Sequence, residues 1–167
     1  VRRVFGYPGD GINGLMGALQ RAQGTIEFVQ TRHEELAAFM ACAHAKFTGE
    51  VGVCMATSGP GAIHLLNGLY DAKLDHVPVV AIVGQTARSA MGGAYQQEVD
   101  LLTLFKDVAS QYCQMVTVPE QLPNVLDRAA KEGPELFFNV ASVRLGSVAI
   151  HLGHVLFLTS LIAAMIS

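Results

Sequence analysis

The residues best suited to chemistry stand together at Thr31-Arg32-His33-Glu34-Glu35, between an apolar β-like run, Ile26 to Val29, and a helix-like run, Leu36 to Phe47. A carboxylate placed where a strand gives way to a helix lies at the mouth of a parallel sheet, the usual ligand crevice of doubly wound folds. Two effects on Glu34 oppose each other. The helix start favours its ionised form, while the apolar neighbours Leu36, Ala37, Ala38 and Phe39 favour the neutral form by desolvation. A carboxyl group driven toward protonation can share a proton with a nitrogen base on a ligand, which is a catalytic use. The alternative is structural: Glu34 and Glu35 as first-turn residues that stabilise the helix dipole, each by under about 1 kcal/mol.

Other stretches could hold a ligand. Gly9-Asp10-Gly11-Ile12-Asn13-Gly14 satisfies G-x-G-x-x-G after a strand and before a helix, and Glu34 follows at about the spacing of the acid in a dinucleotide fingerprint. Against that reading, Pro8 and Asp10 alter the tight turn, and Asp10 sets a negative charge beside a pyrophosphate. Ala56-Thr57-Ser58-Gly59-Pro60-Gly61-Ala62 closes a strand and opens a helix. Its glycines allow close approach to a ligand and Pro60 offers a rigid apolar face, although a plain turn with proline near a helix start reads equally well. Ser58 is not in G-x-S-x-G, and His33-Glu34-Glu35-Leu36-Ala37 lacks the second histidine of H-E-x-x-H. His44, His64 and His76 have no metal-ligand spacing, so no metal site is expected. Gln97 follows a long Gly-rich loop, Gln85 to Tyr95, and can face a substrate or cap the helix expected at Leu101 to Phe105.

The elements that must position these residues alternate along the chain. Short β-branched runs (Val4-Phe5, Ile26 to Val29, Val51 to Ala56, Val77 to Val83, Met115 to Val118, Leu136 to Val143) are separated by segments rich in Ala, Leu and Met. That order predicts an α/β fold: a doubly wound, about six-stranded parallel sheet with helices on both faces.

At 167 residues, 51% apolar and 15% charged with a net charge of -3, the chain suits one domain with a single core. No Lys/Arg cluster exists to neutralise phosphates, which excludes a nucleic-acid surface. Cys42, Cys54 and Cys113 are odd in number and lack C-x-x-C spacing, as in a reduced, cytoplasmic protein. The chain enters its first β-like run directly from Val1-Arg2-Arg3, which reads as a piece of a longer protein. Residues 145–167 carry no Asp, Glu, Lys or Arg. They are long enough to cross a membrane, but their His, Gly and Ser content favours a buried helix or a non-native extension.

Several motifs then fall in order: Phe5-Gly6-Tyr7-Pro8-Gly9, Arg32-His33-Glu34-Glu35, Ala56-Thr57-Ser58-Gly59-Pro60-Gly61-Ala62, Asn67-Gly68-Leu69-Tyr70-Asp71-Ala72, Val77 to Gln85, and Gln97-Glu98. Together they resemble the N-terminal pyrimidine-binding (Pyr) domain of thiamine-diphosphate enzymes, in the pyruvate oxidase and acetolactate synthase branch. The resemblance covers about residues 1–130 and implies a Pyr domain over 1–143, truncated at its start, with an apolar tail at 144–167. It implies that Glu34 is the catalytic carboxyl facing N1′ of the cofactor's aminopyrimidine. Tyr7, Pro8, Gly9 and Pro60 would border that ring, with Thr57 and His64 nearby and Gln97 facing cofactor and substrate. Two positions depart from the synthase pattern: Tyr95-Gln96 replaces the usual small-aromatic pair, and His64 stands where those synthases carry Asn, closer to the oxidases.

The same resemblance implies a 2-oxo acid decarboxylating oxidase or ligase, cytoplasmic and built as a homo-oligomer, a dimer or tetramer. Its site would close against the diphosphate-binding domain of another subunit, with Mg²⁺, and FAD in the oxidase branch, held by domains outside this chain. The substrate would be a small 2-oxo acid, with no nucleic acid and no membrane involved. Alone, this chain is expected to be inactive. A Rossmann-type dinucleotide domain of an oxidoreductase and a non-catalytic interaction module are the alternatives.

Overall fold

The computed structural model of the chain describes residues 1–22 and 24–131. Strand β1 (Arg3–Gly6) leads through a 3-10 turn (Asp10–Ile12) to helix α1 (Asn13–Arg21). Strand β2 (Glu27–Gln30) leads to helix α2 (Glu34–Thr48), and strand β3 (Gly52–Ala56) to helices α3 (Pro60–His64) and α4 (Leu66–Leu74). Strand β4 (Val79–Val83), a long loop, α5 (Leu101–Phe105) and α6 (Leu122–Lys131) complete the order.

The four strands are all parallel, in the order β2-β1-β3-β4. Every residue of β3 and β4 is buried, so both faces are covered, and successive side chains go to opposite faces. Val53, Met55, Val80 and Ile82 meet Ile12, Leu15, Leu19 and Leu126 on the face carrying α1 and α6. Cys54, Ala56, Val79, Ala81 and Val83 meet α2, α4 and α5 on the other. This is the expected parallel, doubly wound α/β sheet. The chain leaves β1 toward β2 and returns to its other side with β3, so the order reverses between β1 and β3. Ligands of such sheets bind outside the carboxyl ends of the strands at that point.

One expected strand is absent. Met115 to Val118 joins no ladder in the described residues, because its amides find a side chain instead: Gln121 Oε1 accepts from Thr117 N at 2.8 Å and Val118 N at 3.4 Å. Val116 still packs into the α1 face as an extended apolar segment. The run expected at 136–143 and the apolar tail lie outside the described residues. Among the described residues, no helix is long and apolar enough to cross a membrane.

Candidate functional site

Glu34 is positioned by two local devices. The turn out of β2 is tied to the end of β1, since Thr31 N and Oγ1 both donate to Gly6 O, at 2.8 and 3.2 Å. Helix α2 then starts with His33 as its cap, Nδ1 accepting from Glu35 N at 3.3 Å, and ends at Gly49, whose φ of 71° suits the left-handed cap glycine tolerates. Glu34 is therefore the first helical residue, only 8% exposed, beside the carboxyl ends of β1 and β3. Its Oε2 meets His64 Nδ1 at 3.1 Å. Among the described residues, Oε1 accepts no hydrogen bond. The His33 ring lies against that of His64, with centroids 4.3 Å apart.

The glycines around this carboxyl are packing requirements. A Cβ on Gly9 would come within 2.6 Å of Thr57 Cβ; one on Gly61 would come within 2.8 Å of Thr57 Cγ2 and 3.2 Å of Glu34 Oε1. Thr57 is thus walled in behind the site, where its Oγ1 accepts from Gly11 N at 3.0 Å. Tyr7 is 40% exposed and Pro60 is exposed at the start of α3, so both present ring faces to solvent at the site's rim.

Gln97 sits on the far side of the Ser58-Gly59 turn, with its backbone in the left-handed region at φ 61°. Its Oε1 lies 3.4 Å from Ser58 Oγ, and a Cβ on Gly59, itself at φ 63°, would strike Gln97 at 2.8 Å. The cap of α5 is not Gln97 but Asp100, which accepts from Thr103 N at 3.1 Å. The loop carrying Gln97 is closed by Glu98, whose carboxylate accepts from Gly92 N and Tyr95 N. Those two amides hold the Glu98 carboxyl below its ordinary pKa.

The structure thus gathers Tyr7, Pro8, Gly9, Glu34, Thr57, Pro60 and His64 at one sheet edge, with Gln97 at its border. A cavity of about 620 Å³ opens on Gln97's side, lined by Asp10, Gly11, Ser58, Thr86, Tyr95 and Gln97. Glu34 is outside it. The Thr86 hydroxyl in its wall is buried and has no hydrogen-bond partner among the described residues. No sequence signal singled out Thr86 or the contact of His33 with His64. The glycine fingerprint is a decoy: Gly11 N, which would cradle a pyrophosphate, is held by Asp10 Oδ1 at 2.9 Å and by Thr57 Oγ1.

A family model described as the thiamine pyrophosphate enzyme N-terminal TPP binding domain matches residues 1–104. A Bacillus subtilis protein named as thiamine pyrophosphate-containing is 48% identical over 131 residues, covering 78% of this chain and 23% of its own length. Pyruvate oxidase of Lactiplantibacillus plantarum is 43% identical over 131 residues, 78% of this chain and 22% of its own. The acetolactate synthase isozyme 2 large subunit of Escherichia coli is 44% identical over 129 residues, 77% and 23%. The chain spans less than a quarter of the length of these three curated relatives.

Proposed function

The chain belongs to the thiamine pyrophosphate enzymes as their N-terminal TPP-binding domain, and from that premise we propose that it forms the pyrimidine half-site of a 2-oxo acid decarboxylating oxidase or ligase. One observation carries the reading. Glu34 is a nearly buried carboxyl at the switch point of the sheet, with Oε1 unpartnered among the described residues and Oε2 fixed by His64.

That donor set fits an aminopyrimidine. A carboxyl oxygen can hold a proton jointly with ring N1′, while Pro8, Pro60 and the ring of Tyr7 supply apolar surface for a flat ring. When bound, thiamine diphosphate supplies an acidic carbon and an electron sink for decarboxylation. The part of this chain is narrower: Glu34 Oε1 shares and moves a proton at N1′, the Thr31–Gly6 tie fixes its height, and the Gly61 wall keeps a side chain off it. His64 orients the carboxyl through Oε2, and Gln97 reaches the border shared with the substrate.

The diphosphate, its Mg²⁺ and, in an oxidase, FAD are assigned to further domains and another subunit of a homo-oligomeric, cytoplasmic enzyme. Exposed apolar residues beside the site, Leu36 and Phe39 on α2 and Ile63 on α3, support a covering partner surface.

The test is Glu34→Gln in a complete enzyme carrying this domain, read as proton exchange at the reactive carbon of bound thiamine diphosphate. Positioned proton transfer contributes about 10²- to 10⁴-fold, so exchange should fall by about that factor with the circular dichroism spectrum unchanged. Exchange at the wild-type rate would overturn the assignment.

A further inference from the structure

We propose that His33, Glu34 and His64 form a binding site for one borderline transition-metal ion of the zinc, cobalt, nickel and copper class. One ligand atom from each of the three residues can be chosen so that all lie within 4.8 Å of one another. Glu34 Oε2 and His64 Nδ1 are 3.1 Å apart. Ligands bound to zinc at about 2.0–2.1 Å in a tetrahedron lie about 3.3–3.4 Å from one another, so this edge is already close to length. The His33 ring lies 4.3 Å from that of His64 and is inclined to it by 33°, and it must turn from its cap to bring a nitrogen, already within 4.8 Å of the other two ligand atoms, to the third corner.

The donor set selects the ion. Two imidazoles and one carboxylate suit zinc, cobalt, nickel and copper, whereas magnesium and calcium prefer oxygen ligands throughout. The supports are independent and stiff: His33 and Glu34 open α2, whose entry is pinned to Gly6, and His64 closes α3. His64 is exposed, so an ion enters from solvent and keeps water in its fourth position, as open three-ligand sites do. Three effects oppose binding: the positive end of the α2 dipole, the Glu35 N–H cap that His33 must release, and the hydrogen bond between His64 Nδ1 and Glu34 Oε2, whose proton leaves to solvent when both atoms turn to the ion. The first is offset by the Glu34 carboxylate, which lies in the same turn. The cap is long at 3.3 Å and correspondingly weak.

An ion held there occupies the carboxyl oxygen that His64 otherwise orients. Its consequence for cofactor chemistry rests on the pyrimidine reading, but the site does not and is measured with metal alone. The experiment titrates Co²⁺ into the full chain after chelator treatment, following the visible bands of cobalt and its stoichiometry by elemental analysis. One equivalent with the intense bands of four-coordinate cobalt is expected. Loss of an outer-shell partner costs about 10- to 100-fold in metal affinity; His64→Asn and Glu34→Gln, which remove ligands, should cost at least that. His76→Ala, a histidine outside the cluster, should bind as the parent does. Should His33→Ala fail to fold for want of its cap, His64→Asn carries the test, its fold checked by circular dichroism. Weak six-coordinate bands, or parental affinity in His64→Asn, would overturn the proposal.

Discussion

Gly68 is where the packing beneath the site can be tested most directly, by Gly68→Ala. This residue is buried in α4, where it faces α2. An alanine Cβ there would stand 2.5 Å from Phe39 N, 2.6 Å from Ala38 Cβ and 2.7 Å from the Ala38 carbonyl carbon. Ordinary contact begins at 3.4 Å, so the shortfall approaches 1 Å, and two of the three atoms are backbone that no rotamer change can move. Helix α2 cannot retreat either, because the backbone of Gly52 on β3 already lies against the Ala41 carbonyl beneath it. The strain must separate α4 from α2. Overpacking costs about 1–3 kcal/mol, against a helix-propensity gain of about 1 kcal/mol for replacing glycine by alanine. The net loss is up to about 2 kcal/mol, which at about 2–4 °C per kcal/mol for a domain of this size lowers Tm by up to about 8 °C. Gly17 supplies the control: it is also helical, but the nearest atom to a Cβ there is Arg21 Nη1, 3.5 Å away. Gly17→Ala should keep the propensity gain and raise Tm by a few degrees. Thermal melts of the two variants by circular dichroism decide the matter. If Gly68→Ala melts with or above Gly17→Ala, α2 and α4 are not in the contact described.

Three further outcomes follow from the same geometry. Gly61→Ala places its Cβ against side-chain atoms of Thr57 and Glu34, so it should cost less stability than Gly68→Ala yet displace the Glu34 carboxyl; thermal melts and proton exchange of bound thiamine diphosphate in a complete enzyme should separate the two effects. The Glu98 carboxyl, held below its ordinary pKa by the Gly92 and Tyr95 amides, steadies the loop above the ordinary Glu value and loses that contribution as pH falls through the depressed one. NMR shifts of both amides should therefore titrate below the ordinary range, and a midpoint at or above it refutes the anchor. Cys42 is pushed up to about 11 by burial and by its hydrogen bond to Asp71, and Cys54 to about 12 by burial. Because the thiolate is the nucleophile, alkylation of both at neutral pH should proceed at the rate of unfolding; fast labelling of either would refute the packing around it.

Much of this was legible in the residues because it follows from periodicity and turn chemistry. Gly52–Ala56 and Val79–Val83 are continuous apolar runs, and only a strand covered on both faces buries every residue of such a run. The place of Glu34 follows from the same logic: a carboxylate between a strand-like and a helix-like run falls at a sheet edge. The failure at Met115 to Val118 is of another kind. A β-branched run predicts extended backbone and burial of alternate residues, and Val116 is buried as that requires. What the run cannot show is whether its amides find a strand or, as here, the side chain of Gln121.

The contact between His33 and His64 is the clearest case of information absent from local sequence. These residues are 31 positions apart, and no ligand motif spans that gap. They meet because the Thr31–Gly6 tie fixes where α2 begins, while the Thr57 wall between Gly9 and Gly61 fixes where α3 runs. Each constraint is made of backbone and small residues, which look like turn punctuation when read along the chain. Their joint effect is to hold two imidazoles at the only carboxyl among the described residues that is nearly buried. The Thr86 hydroxyl, unpartnered among the described residues, has the same origin, since its burial is a property of packing. The candidate site is therefore set in two steps: residue type supplies the carboxyl, and tertiary geometry decides which imidazoles stand beside it.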